Sequence, residues 1–377
     1  MTRRAPHEGT IRHREDRRWE AILDLGFVGG KRSRKSFYGK TQREARQKLV
    51  VAQRDLQRGI APTDDRLTTG KFLDGWLEDV VRATVRPRTY VSYEQTVRLH
   101  LRPTLGRTVL SKLRPQQVQA LLNAKLASGL SPRSVGIIHA VLRTALNQAV
   151  QWDTVPRNVA TLVQPPRAPR AEIHPLSPEQ ARSFLDAVRG DRLEALYSVG
   201  LALGLRQGEI LGLRWSDVDL EAGTIRVAQA LQRVNGRLEF VEPKSQTSRR
   251  TIPLPATVAR ALRAHRPRQL EDRLAAGARW HDSDLVFTTA LGTPLDSRNV
   301  TRRFQAALER AGLPRLRFHD LRHTAASLML AQGVPARVVM ETLGHSQISL
   351  TLNTYSHVVP ALQREAADRM EAVLSNR

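Results

Sequence analysis

Residues 163–180, VQPPRAPRAEIHPLSPEQ, hold five of the chain's 20 prolines and limit the fold more than any other stretch. Proline removes a backbone donor and pushes the residue before it out of the helical region, so neither a helix nor a central strand runs through these positions. The chain is therefore divided near its middle. Its 377 residues suffice for a core on each side without disulfide staples. No disulfide can form, because cysteine is absent; that removes thiol nucleophiles and thiolate metal sites, and fits a reducing compartment.

A second, weaker break is RGIAPTDDRLTTG, residues 58–70, where Gly, Pro, Asp and Thr separate two periodic segments. With a linker at 166–176, three domains are predicted: 1–60, 61–165 and 177–377. In the first, GTIRHRE, RWEAILDLG and KRSRKSFYGK alternate residue types and precede the helical period of TQREARQKLVVAQRDLQRG, which predicts a three-stranded sheet with one helix. The second is helical, with apolar residues three and four apart and Ser131-Pro132 as an N-cap and N1 pair. The third is mostly helical with a small antiparallel sheet, in which Asn235-Gly236 marks a hairpin. The expected fold class is multidomain and mainly α.

The formal charge is +24, and the excess is spread along the chain as about +9, +9 and +6 over residues 1–60, 61–170 and 171–377. Such a distribution suits a protein that follows a polyanion, since each neutralised phosphate releases counterions. An arginine bias, 52 against eight lysines, explains the Arg/Lys ratio but not the deficit of acids. The N-terminus lacks an apolar signal core and no run of 18 apolar residues occurs, so a soluble cytoplasmic protein with no membrane partner is expected.

Four clusters could carry chemistry. In GLRQGEILGLRWSDVDL, Arg206 and Glu209 lie one turn apart, either as a surface ion pair or as a partly buried guanidinium held ready to clamp a phosphate. In PKSQTSRRTIPL, Lys244 begins a turn between two strands of the predicted sheet and is the sole lysine of residues 171–377, against 27 arginines. A lysine ammonium can give up its proton where a guanidinium cannot. In RFHDLRHTAASLMLAQG, His319 and Arg322 share a face at a helix start. His319 and His323 have zinc-ligand spacing, but HDLRH lacks the Glu of the metalloprotease motif and no third ligand is evident, so His323 reads as a packing or hydrogen-bonding residue. In LGHSQISLTLNTYSH, Gly344 stops the helix PARVVMETLG, His345 follows at the turn, and Tyr355 lies ten residues beyond His345, as an ordinary half-buried aromatic or as a reactive group.

In chain order, Arg206, Lys244, His319, Arg322, His345 and Tyr355 resemble the catalytic set of the tyrosine recombinases, the phage integrase family. The resemblance covers about residues 175–377 through the four motifs above. It implies a helical, SAM-like core-binding domain at 61–165 that closes with the catalytic domain as a C-shaped clamp, and residues 1–60 resemble the arm-binding domain of phage and conjugative-element integrases. It further implies a site-specific recombinase that integrates or excises a mobile element through a 3′-phosphotyrosyl intermediate. Tyr355 would be the nucleophile, and Arg206 and Arg322 would stabilise the phosphorane-like state. His319 would accept the tyrosine proton or orient the phosphate, His345 would donate to a non-bridging oxygen, Lys244 would protonate the departing 5′ oxygen, and Glu209 would support. A tyrosine with a reference pKa of about 10 needs such a positive site to react at neutral pH.

Because the phosphotyrosyl link retains the bond energy, no metal, nucleotide or other cofactor is implied. The partners implied are double-stranded DNA at core and arm-type attachment sites, a homo-tetramer on synapsed DNA, a host DNA-bending protein and an excisionase, all in the bacterial cytoplasm at the nucleoid. The C-terminal stretch HVVPALQREAADRMEAVLSNR reads as a helix that docks on a neighbouring protomer or on its own domain. Two rival readings share parts of this pattern: a type IB topoisomerase-like enzyme that relaxes DNA, and a non-catalytic DNA-binding regulator.

Overall fold

The computed structural model describes residues 9–28, 31–57, 67–169, 174–242, 249–344, 367–368, 370–371 and 374–375. The chain falls into two compact units, residues 1–170 and 171–377.

The first unit begins with the strands β1 (Thr10–His13), β2 (Trp19–Val28) and β3 (Lys31–Gly39), antiparallel in the order β1-β2-β3. Alternation along β2 sends Ala21 and Leu23 into a small core with Ala45, Leu49 and Ala52 of the helix α1 (Gln42–Gln57). The opposite face carries Glu20, paired in register with Arg12 and Tyr38. Although Glu20 is buried, it accepts from Arg12 Nε at 2.8 Å and Tyr38 Oη at 3.1 Å, and a Ser36 hydrogen bond is the largest influence holding its pKa down at about 2.

The helices that follow form a second core. The run α2 (Thr69–Trp76) continues through a π-helical turn, Leu77–Val81, into α3 (Arg82–Thr84). The next run repeats the device: α4 (Pro87–Thr96), a π-turn at Val97–Leu101, then α5 (Arg102–Leu105). They pack with α6 (Pro115–Ala127) and α7 (Pro132–Gln151) around Trp76, Leu101, Leu121 and Leu142. Ser131 caps α7 as its sequence predicts, accepting from Ser134 N at 3.2 Å ahead of Pro132.

The second unit opens with α8 (Pro178–Ala187), entered through a reciprocal Ser177–Gln180 cap. Then come α9 (Glu194–Leu203), α10 (Gln207–Leu211), and the strands β4 (Val218–Asp219), β5 (Thr224–Val227), β6 (Ala230–Val234), β7 (Arg237–Val241) and β8 (Arg250–Pro253). The helices α11 (Ala256–Ala276), α12 (Ser297–Arg310), α13 (Asp320–Ala331) and α14 (Ala336–Leu343) complete the described part. A core built on Phe184, Tyr197, Phe287 and Phe304 ties α8, α9 and α12 together.

The strands form two sheets, β4-β5-β8 and the β6-β7 hairpin, where the sequence pointed to one. Asn235 (φ 47°) and Gly236 (φ 81°) close the hairpin as expected. However, β8 pairs with β5, setting Ile225 opposite Ile252 with both side chains in the core, because that register buries them and pairing with the exposed β7 would not. The segment containing Lys244 thus joins strands of two sheets rather than of one; Lys244 itself lies outside the described residues.

Candidate active site

The site is built where two helix starts and one helix end meet. Leu203 ends α9 and Gly204 turns the chain with φ 61°, a left-handed conformation that glycine adopts at low cost. Two residues later Arg206 sits at the N-cap of α10, and Glu209 folds back: its Oε2 accepts from Arg206 N at 3.0 Å and its Oε1 from Arg206 Nη1 at 2.8 Å. Of the two readings the sequence left open, neither holds alone. The Glu209 side chain is 6% exposed and the Arg206 side chain 42%, so a buried anion holds a guanidinium that remains open to solvent.

Arg250, on β8, completes the arrangement. The motifs passed over it. Its side chain is buried, Nη2 lies 3.0 Å from Glu209 Oε2, and Nε donates to the carbonyl of Thr342 at 2.7 Å. Burial alone would raise the Glu209 pKa, but the charges and hydrogen bonds of Arg250 and Arg206 more than offset it and hold the carboxyl below its usual range. Arg206 Nη2 in turn reaches the carbonyl of Gly344 at 3.2 Å. Two cations therefore meet the carbonyl end of α14, where the helix dipole and unsatisfied carbonyls favour them. Gly344 stops α14 with φ 67° as the sequence predicts.

The start of α13 supplies the rest. Arg322 is buried and donates through Nη1 to the carbonyl of Gly204 at 2.9 Å. His319 occupies the N-cap position and is exposed, edge-on to His323 with ring centroids 5.0 Å apart. Partial desolvation and then the Arg322 charge lower the His319 pKa, with Arg206 also contributing, so the imidazole is held toward its neutral, proton-accepting form. Burial, and then His319, push His323 down to about 4. Asp320 anchors the helix start, accepting from Arg317 N at 2.7 Å and from its guanidinium. Its carbonyl accepts from Thr324 Oγ1, which accepts from Leu176 N.

Of the six predicted site residues, Arg206, His319 and Arg322 are thus brought into one electrostatic neighbourhood. Lys244, His345 and Tyr355 lie outside the described residues, although His345 directly follows Gly344. Most of the C-terminal stretch also lies outside them; its described residues 367–368, 370–371 and 374–375 are helical, with Met370 and Leu374 exposed. Beside the site, Ser297, Arg298, Thr301, Arg302 and Gln305 of α12, with Arg315, line an open groove. Gln207 joins groove to site, donating to Ser297 O at 3.1 Å and Thr301 Oγ1 at 3.2 Å. Among the described residues no group of three or more His, Asp or Glu could hold a metal ion, and no helix is long and apolar enough to cross a membrane.

Comparison with known proteins places these features. The sequence pattern of the Phage integrase family matches residues 175–361, and that of the phage integrase N-terminal SAM-like domain matches residues 68–126. The chain is 34% identical over 360 residues to a protein named tyrosine recombinase XerC-like from Caldanaerobacter subterraneus subsp. tengcongensis, covering 90% of this chain and 92% of the relative. It shares the fold of the Tn1549 transposon integrase in complex with a circular intermediate DNA, with TM-score 0.70 and 24% identity over 81% of this chain and 99% of that one. It also resembles a lambda integrase tetramer bound to a Holliday junction, with TM-score 0.58 and 17% identity over 94% of this chain and 96% of that one.

Proposed function

The chain belongs to the phage integrase family of tyrosine recombinases, and from that premise we propose how its residues divide the work of breaking and rejoining DNA. It is a site-specific recombinase of a mobile element, and double-stranded DNA is its substrate. The observation that carries the site assignment is the joining of two motifs far apart in sequence, by the hydrogen bond from Arg322 to Gly204 at the entry to Arg206.

In the proposed reaction Tyr355 attacks the scissile phosphate, forming a 3′-phosphotyrosyl link and releasing a 5′-hydroxyl. Arg206, half-buried and held by Glu209, stabilises the charge that builds on the non-bridging oxygens, and Arg322 completes this field while bracing the Gly204 turn. His319, kept toward its neutral form, takes the tyrosine proton or orients the phosphate. His345 donates to a non-bridging oxygen and Lys244 protonates the departing 5′ oxygen. Attack by the 5′-hydroxyl of a second DNA reverses the step on a new partner. The basic groove along α12 suits the DNA backbone flanking the scissile phosphate.

The same reading extends to the domains. Residues 1–60 bind arm-type sites, 61–165 bind the core site, 166–176 link them to the catalytic domain at 177–377, and four copies assemble on synapsed DNA, with a DNA-bending protein and an excisionase as accessory partners. Support comes from the three-stranded sheet, the SAM-like match and the likeness to a tetrameric integrase. The protein acts in the bacterial cytoplasm, at the nucleoid.

The deciding experiment mixes the full chain with a nicked duplex carrying the attachment core of its own element. A covalent protein–DNA adduct is expected with the wild type, and binding without adduct with Tyr355→Phe. An adduct formed by the Phe variant removes Tyr355 from the nucleophile role.

A further inference from the structure

We infer that Arg250 is a positioning residue for Arg206, fixing the phosphate-facing guanidinium through a closed ring of contacts that also includes Glu209 and the carbonyl end of α14. The ring is traced by distances. Arg206 Nη1 meets Glu209 Oε1 at 2.8 Å, Glu209 Oε2 meets Arg250 Nη2 at 3.0 Å, Arg250 Nε meets Thr342 O at 2.7 Å, and Gly344 O returns to Arg206 Nη2 at 3.2 Å.

Each link constrains the next. Without Arg250, Glu209 would hold Arg206 by Oε1 on the guanidinium and Oε2 on the backbone N–H, leaving a buried carboxylate with one charged partner. Arg250 adds a second, charged donor on Oε2 and is itself held by Thr342, so the carboxylate plane is tied to α14 and Arg206 with it. Close packing enforces the geometry: a Cβ placed on Gly344 would lie 2.8 Å from Arg250 Nη1. The Arg250 side chain is 8% exposed, against 42% for Arg206. The open cation meets the ligand and the buried one holds the frame. The ring closes on Gly344, the residue that ends α14.

The inference rests on the proposed role of Arg206 as a phosphate ligand. Its test compares two nicked substrates in single-turnover adduct formation by the full chain: one with a normal scissile phosphate and one with a methylphosphonate, in which a methyl group replaces a charged non-bridging oxygen. A defect transmitted through Arg206 concerns stabilisation of that charge, so it should shrink on the neutral substrate; a defect in folding or DNA binding should not. Arg250→Ala is expected to slow adduct formation by about 10- to 100-fold on the phosphodiester, with duplex affinity within about 2-fold of wild type, and to come within about 3-fold of wild type on the methylphosphonate. Arg250→Lys keeps the charge and most of the volume but reaches only one of the two partners; it should show a smaller defect with the same substrate dependence, and it carries the test if the alanine variant unfolds. Equal defects on both substrates, or no defect on either, overturn the inference. Arg206→Ala run in parallel separates it from its premise: a defect of equal size on both substrates in that variant would reject the site assignment, whereas a defect that shrinks on the methylphosphonate there but not in the Arg250 variants would reject only the ring.

Discussion

Arg322 donates through Nη1 to the carbonyl of Gly204, 2.9 Å away and 118 positions earlier in the chain. One buried guanidinium thus fixes the turn from which Arg206 emerges two residues later, so the two arginines of the site are mechanically as well as electrostatically linked. Gly204 is held in a left-handed conformation, and a Cβ there would lie 2.5 Å from Leu343 Cδ2 and 3.1 Å from Ala325 Cβ. The turn is therefore clamped between α13 and α14.

Gly204→Ala is accordingly expected to damage the site twice over. Left-handed backbone costs an alanine about 1 kcal/mol, and forcing a methyl into the packed junction adds about 1–3 kcal/mol. Gly223→Ala is the control, with nearly the same φ, 63°, and nothing within 4 Å of the added carbon; it should show only the backbone cost. Denaturant unfolding of both variants, with adduct assays, checks this. Equal destabilisation, or full activity in Gly204→Ala, would show that the junction is not clamped.

Removing the clamp from its other end gives a different pattern. Arg322→Ala takes away a positive group and leaves the Gly204 carbonyl without its donor, which costs about 1–3 kcal/mol of stability. The rate of adduct formation should fall by about 100- to 1,000-fold, well beyond any effect on DNA affinity measured by filter binding. A drop confined to affinity would mean that Arg322 serves docking rather than the chemical step.

The paired histidines make a pH prediction. The His323 pKa is pushed down to about 4 from an ordinary 6.5 by burial first and then by His319, and His319 is lowered too. The unfolded chain then binds protons that the folded chain refuses. The stability owed to this difference is complete above pH 6.5 and is lost as pH falls toward 4. His323→Gln should lose about 2 kcal/mol less than the wild type between pH 7 and pH 4.5. Thermal unfolding across that range reads it directly, and parallel curves for the two proteins would contradict it.

Local rules made much of this molecule legible. Ser131-Pro132, Asn235-Gly236 and the Gly344 stop each depend on neighbours within a turn, and all three form as read. The π-turns at Leu77–Val81 and Val97–Leu101 were hidden inside ordinary helical periodicity. At the site, Arg206 and Glu209 were visible, but their unequal burial was not, because it depends on Arg250, 41 residues later. A signal for Arg250 did exist. It stands two residues before Ile252 on β8, on the same face of the strand as that buried side chain, and an arginine there needs a carboxylate nearby. The division into two sheets, by contrast, turns on long-range pairing of β5 with β8, which no local pattern specifies.

The last prediction concerns a residue in the sequence between β7 and β8. Lys244 is the sole lysine among residues 171–377, in a segment where arginine is otherwise the cation used, and an ammonium can release a proton to a leaving alkoxide as a guanidinium cannot. Lys244→Ala should therefore slow cleavage of a normal phosphodiester by about 100- to 10,000-fold, the usual worth of a general acid. A substrate with sulfur at the 5′ bridging position leaves as a thiolate that needs little protonation, so the variant should cleave it at nearly the wild-type rate. Lys244→Arg keeps the charge but lacks the dissociable proton and should behave as the alanine variant does. Full activity of Lys244→Arg, or equal alanine defects on both substrates, would assign Lys244 a purely electrostatic or DNA-binding role instead.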